Sequence, residues 1–389
     1  MRKTLVCIAA LIAVALTLFP DVAAQPSASS RGLSSASHLS AIYDTILQAR
    51  FADARTALAT TCPPAPGPAC EALREVAVWW EIQQNERSRL LDSRLQAAAT
   101  TAIASAERWT SQEPRNGEAW FYLAGAYAPL SQWQVLRGER LAAARNGKRI
   151  KDGLERALEL NPGLQDAWFG IGLYHYYADV APAALKFLRF LLLLPGGDRA
   201  QGLQEMLRAR EHGELLRGEA DYQLHWVYLW YEQQPARALE LLQGLDARYP
   251  SNPLFLQRIA DVQHVYFSDH QASAVSWRAL LDRATAQRVA LPALAAARAR
   301  VGLAGEEIEL ASPATAIDLL APVIRARSAE PYGVLALAFL TRGDAYAAIG
   351  DRENAIASYT SALENAPNDD PDRVRTRAHD GLARVRSRR

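Results

Sequence analysis

ALAFLTRGDAYAAIGDRENAIASYTSALENAPND, residues 336–369, holds two apolar patterns of helical period separated at Gly350. In the first, Phe339, Gly343 and Tyr346 recur at spacings of four and three, so bulky and small residues alternate along one face. Ala355, Tyr359 and Ala362 repeat that alternation in the second, and Pro367 cannot continue the helix. Small residues let a second helix approach closely. These 34 residues therefore predict one antiparallel helix hairpin.

The same wording recurs along the chain. Trp120-x2-Leu123-Ala124-x2-Tyr127 and Trp168-x2-Ile171-Gly172-x2-His175 share one spacing. Residues 219–252 and 253–286 abut in phase, with Ala238 and Ala272 at matching places and Pro250 closing the first. Residues 165–198 fit the same frame through Gly172, Ala184, Leu188 and Leu191, and weaker copies lie in 51–58 and in the helix leading to Pro114. This pattern resembles the tetratricopeptide repeat (TPR) family, whose 34-residue unit carries W-x2-L-G-x2-Y and A-x3-F at these spacings. The resemblance covers residues 38–389. It implies an all-α, right-handed superhelical solenoid of roughly nine antiparallel helix pairs, with a repeat domain over 38–370 and a concave surface for a protein ligand.

The repeat is irregular. Trp120 and Trp168 stand 48 residues apart, 14 more than one unit. Counting back from Pro162 through Ala157 and Leu154 starts the second helix near Gly147, which assigns the excess to residues 128–146. There, either a kinked first helix is about four turns longer than usual, or an extra helix begins at Ser131 after Pro129. Residues 199–218 read as a second insertion, and 287–335 again exceeds one unit. A looser resemblance, over residues 165–285, is to the TPR-containing family of inclusion-body clearance and mitochondrial outer-membrane proteins. FLRFLLLLPGGDRAQGLQEM and the later Tyr249-Pro250 carry it, and it implies fold alone.

The ends have a different character. Arg2 and Lys3 precede an apolar run over 4–18, and Val22-Ala23-Ala24 reads as a small-residue cleavage site, so residues 1–24 are expected to be a signal peptide. Residues 25–37 are small, polar and unpatterned, a flexible leader. At the other end, 372–389 has seven arginines against two aspartates, and Asp370-Pro371 reads as a helix start, so 371–389 is expected to be a basic capping helix. Export would let Cys62 and Cys70, framing CPPAPGPAC, form a disulfide worth roughly 2 to 3 kcal/mol. The expected location is therefore the bacterial periplasm or the exterior.

Residues 25–389 hold equal numbers of basic and acidic side chains, which gives no bulk attraction to nucleic acid. KFLRFLLLLP (186–195) is too short to span a bilayer and matches buried repeat positions. Catalytic signatures are missing: there is no G-x-S-x-G, H-E-x-x-H or C-x-x-C. PGGDR (195–199) reads as a turn with Asp198 capping a helix. His264 and His270, six apart, fall on different helical faces or in a loop and are not read as a metal pair; Glu306, Glu307 and Glu309 read as solvated surface. No cofactor, metal or catalytic residue is expected.

Aromatic residues supply the site hypothesis. On TPR geometry, Phe121, Phe169, Tyr176, Tyr177, Trp230 and Tyr231 project from first helices into the concave groove. The expected function is a non-catalytic scaffold of the bacterial periplasm or envelope that binds a protein or peptide there. An envelope polysaccharide, bound for an export or assembly system, is the alternative ligand.

Overall fold

The computed structural model describes residues 32–180, 196–327, 329–370 and 372–387. Among them are seventeen helices and no strand. In chain order these are α1 (Ala36–Leu47), α2 (Phe51–Thr61), α3 (Gly67–Gln83), α4 (Asp92–Gln112), α5 (Gly117–Leu136), α6 (Arg140–Leu160), α7 (Ala167–Val180), α8 (Arg199–His212) and α9 (Arg217–Trp230). Then follow α10 (Pro235–Arg248), α11 (Pro253–Phe267), α12 (His270–Thr285), α13 (Pro292–Glu309), α14 (Pro313–Ala326), α15 (Val334–Ala348), α16 (Arg352–Asn365) and α17 (Val374–Ser387). Consecutive helices pack in pairs, so the described residues form eight hairpins and a terminal helix where about nine hairpins were expected.

Size complementarity holds each pair together. A Cβ on Gly343 would lie 2.6 Å from the Tyr359 ring, so the glycine of α15 seats the tyrosine of α16. Where α7 crosses α8, two glycines meet: a Cβ on Gly172 would fall 2.6 Å from the Gly202 carbonyl oxygen, and one on Gly202 as close to the same oxygen of Gly172. Backbone cannot yield to such a contact as a flexible side chain can. The partner of α7 among the described residues is thus α8, drawn from the segment read in the sequence as an insertion. Ala184, Leu188 and Leu191 lie outside the described residues.

The extra 14 residues after Trp120 are shared between both helices of a pair. α5 has 20 residues and α6 has 21, against 14 each for α9 and α10. Adding about seven residues to each is about two turns on each, which keeps an antiparallel pair in register. The second helix therefore starts at Arg140 and not near Gly147, no extra helix forms, and Pro129 lies inside α5. Ser131 caps nothing; its hydroxyl donates to the Ala143 carbonyl across the hairpin at 3.2 Å. The lengthened end of α5 delivers Arg137, which grips Asp92 at 2.8 Å and the carbonyls of Glu86 and Ser88.

That grip belongs to a larger closure. In a simple solenoid each repeat touches only its neighbours. Here α3 buries ten of its 17 residues, and its C-terminal end meets several later first helices. The buried Trp80 indole lies 4.8 Å from the Tyr222 ring of α9 and 6.1 Å from Phe255 of α11, and it donates to Glu219 at 3.1 Å. Tyr43 of α1 donates to the same carboxylate at 3.1 Å. Gln84 donates to Asn252, Arg298 of α13 donates to the Gln84 carbonyl, and Asn85 and Ser88 reach Glu330 ahead of α15. The superhelix is wrapped around its own N-terminal helices. Even Leu33 and Ser34, inside the expected leader, are held, their amides donating to Glu214 and Glu118 at 2.9 Å.

Residues 1–24, expected to be a signal peptide, and the first part of the expected leader lie outside the described residues. Cys62 and Cys70 are joined as a disulfide. The Asp370 carboxylate accepts from the amides of Val374 and Arg375 and opens α17, which covers α16.

Two measurements address this closure. Replacing Trp80 by Ala is expected to cost about 3 to 5 kcal/mol in urea unfolding, because it empties a site enclosed by α1, α9 and α11; a loss below about 1 kcal/mol would mean that α3 is not inserted. Glu75, also on α3, is buried, and burial, opposed by the Leu130 backbone, pushes its proton affinity well above the ordinary glutamate range. The unfolded chain loses that proton first as pH rises past about 4.3, so folding weakens with rising pH. Glu75→Gln should therefore gain stability relative to the native chain between about pH 4 and about pH 8, and an unchanged difference would refute it.

Candidate functional site

The predicted aromatic residues separate into two groups. Phe121, Phe169 and Tyr176 are buried, so they are packing residues and cannot face a ligand in this conformation. Tyr176, Tyr177 and Tyr231 do come together, as three edge-to-face rings with centroids 5.6 to 5.8 Å apart. Their contacts knit α7 to the end of α9. The Tyr176 hydroxyl donates to Glu232 at 2.6 Å and Arg199 donates to it at 2.8 Å, and these bonds, that of Arg199 foremost, hold the Glu232 carboxyl below the usual range. Asp198, beside them, caps α8 as expected by accepting from the Gln201 amide. Trp230 alone of the six is open, 57% exposed, with its ring 4.2 Å from that of Trp226.

The inner wall of the later hairpins is largely spoken for. Arg258 of α11 lies 5.1 Å over the Trp226 ring and reaches Glu86 at 3.4 Å and Asp261 at 3.8 Å. The Asp261 side chain is 42% exposed, yet the protein around it raises its proton affinity, opposed by Arg258 and Arg298. The groove in which the sequence placed a ligand is filled here by the chain itself.

Exposed apolar side chains gather elsewhere. Among the described residues several of these fall where a first helix ends, on the edge formed by the turns into second helices. On that edge are Val135 at the end of α5, Leu141 at the start of α6, Trp230 at the end of α9, and Ile349 capping α15. Its densest part is at the end of α11, where Val265 (64% exposed), Tyr266 and Phe267 (44%) are consecutive and Val275 of α12 lies beyond the turn. Ser268 turns the chain there in the left-handed conformation, and Asp269 caps α12 by accepting from the Ala272 amide. Three consecutive exposed apolar residues are unusual where nothing covers them.

A polar cluster adjoins this patch. Glu306, buried at 5% side-chain exposure near the end of α13, receives His264 Nδ1 at 3.0 Å and His270 Nδ1 at 2.8 Å. Ser273 donates to its Oε1 at 2.8 Å. The sequence reading put the two histidines apart and Glu306 and Glu307 in solvent. The tight α11–α12 turn instead brings the imidazole rings to 5.2 Å, and α13 packs over the turn and buries both glutamates, Glu307 pairing with Arg278. Among the described residues this is the one group of His, Cys, Asp and Glu side chains whose ligand atoms converge, all within 4.8 Å.

No protein-family model and no curated protein matches the chain. Among solved structures it is similar to the APC/C hetero-tetramer Cut9–Hcn1, at 14% identity and a TM-score of 0.41 over 82% of this chain, and it spans 55% of that one. It is also similar to the P58(IPK) TPR domain, at 13% identity and a TM-score of 0.21 over 81% of this chain and 97% of that one. In the structure itself, α9 to α12 and α15 to α16 are hairpins of the expected length, and Gly218 meets Tyr249 in the first of them as Gly343 meets Tyr359 in the last. The described residues form an all-helical stack of consecutive helix pairs.

In such a stack the repeated large and small positions account for the core and leave the helix ends unspecified. Val265-Tyr266-Phe267 falls just past the repeat pattern, immediately before Ser268-Asp269, where a helix end normally turns polar. That excess of apolar residues was the available signal for this edge. Since these side chains support no core, Val265→Ser with Phe267→Ser should leave stability within about 0.5 kcal/mol per substitution in thermal unfolding. A fall of about 2 kcal/mol or more would make them packing residues.

Proposed function

We propose that this TPR-like chain is a non-catalytic, protein-binding scaffold of the bacterial periplasm or cell envelope, and that it holds its partner along the turn edge, centred on α11. The observation that carries the reading is the run Val265, Tyr266 and Phe267, exposed together on a rigid helix end and flanked by Val275. Large apolar and aromatic side chains at low entropy cost are what a protein interface uses as anchors. The filling of the inner groove by α3 favours this edge over the concave face. For the location, the supports are the apolar run and small-residue site within residues 1–24 and the Cys62–Cys70 disulfide, which suits an oxidising compartment.

A photo-crosslinking residue placed at Tyr266 in the full chain, expressed in a bacterial host of origin, tests both parts. It should capture one discrete protein, in the fraction released by osmotic shock, that the same probe at exposed Leu291 on the opposite edge does not. Capture of equal patterns at both positions, or capture only of a second copy of the chain, would overturn the edge. Recovery of the chain only from the cytoplasmic fraction would overturn the location. An adduct that survives protease digestion would replace the protein partner by a glycan.

A further inference from the structure

We propose that His264, His270 and Glu306 form a divalent-metal site that clips α11 and α12 to α13, with zinc the ion that fits its ligands best. Three helices of two successive hairpins each contribute one ligand, and their ligand atoms converge within 4.8 Å. The imidazole-to-carboxylate separations are 3.0 and 2.8 Å, and the rings are turned 71° from each other, so they approach from different sides. Ligands bound at about 2.0 to 2.1 Å around a tetrahedral ion lie about 3.3 Å apart, so an ion requires the two imidazole-to-carboxylate separations to open by a few tenths of an ångström and the widest ligand pair, within 4.8 Å, to draw in. Two imidazoles and a carboxylate are the donor set that Zn2+ takes, and Ni2+, Co2+ and Fe2+ also accept it.

Hydrogen bonds alone leave this cluster short of protons and of charge. Glu306 is buried, and its neighbours Ser273, His264 and His270 supply donors but no positive charge when the imidazoles are neutral. A buried carboxylate without a cation is costly. The Ser273 hydroxyl is also asked twice for one proton: Glu306 Oε1 stands 2.8 Å away and the Ala260 carbonyl 3.0 Å. An ion on Glu306 supplies the missing charge and leaves Ser273 to orient the carboxylate, the arrangement in which an outer hydroxyl fixes a ligand. His264 and His270 are 46% and 31% exposed, so the ion keeps a coordination position open to water on the solvent side. The other histidines, His38, His175, His212, His225 and His379, belong to no such group among the described residues.

Untagged full-length protein, stripped of metal with a chelator and freed of it, is titrated with Zn2+ in a calorimeter and melted with and without the ion. Binding of one equivalent and a rise in Tm are expected. His264→Ala, at an exposed position, and Glu306→Gln, which keeps the side chain's shape, should each weaken binding about tenfold or more and remove the Tm rise. Circular dichroism of the metal-free variants checks their helix content, and if Glu306→Gln fails to fold, His264→Ala decides. Absence of a saturable equivalent in the native chain, or the same affinity in His264→Ala, would overturn the site.

Discussion

The buried carboxylate of Glu219 is where this architecture is tied shut. It accepts from Tyr43 and Trp80, which precede it by 176 and 139 residues, and from Gln223 one turn along its own helix. Burial raises its proton affinity and the three hydrogen bonds lower it, a balance that leaves the acid dependent on those donors. Around this point the Trp80, Tyr222 and Phe255 rings exclude water, so the polar tie and the aromatic packing reinforce each other. A repeat array that would otherwise be held together by neighbour contacts becomes one closed body.

Closure has a price in surface. The first helices α9, α11 and α13 would line a concave groove, yet their inward side chains are engaged by α3 and the segment after it: Tyr222 and Phe255 by Trp80, Arg258 by Glu86, and Arg298 by the Gln84 carbonyl. What remains free are the ends of helices, among them those on the edge formed by the turns into second helices. The exposed apolar run at the end of α11 and the cluster around Glu306 lie on the same stretch of that edge, because one tight turn at Ser268 positions both. The proposed partner surface and the proposed metal site thus share one local geometry while using different side chains.

Much of the local structure was legible in the text. Asp198 and Asp370 cap helices, Cys62 meets Cys70, and the hairpins over 219–286 and 336–369 match their spacing, because capping and pairing depend on residues near in sequence. The insertion after Trp120 was located and misdivided. Counting from Pro162 assumed a standard second helix, whereas an antiparallel pair stays in register only if both helices lengthen together. Burial was hidden for a related reason: Phe121, Phe169 and Tyr176 do lie on first helices, but nothing in their spacing says that neighbouring elements cover them.

By itself, then, the chain's wording determined that it would be all helix, paired and stacked, since the alternation of large and small residues at spacings of four and three leaves few other ways to bury them. Only the tertiary structure decided which surface stays open. Whether Trp80 faces water or the interior, and whether Glu306 is solvated or buried under two histidines, depends on contacts between residues tens to hundreds of positions apart. A periodic pattern encodes each helix's inner face but carries no record of what will later be folded against its outer one.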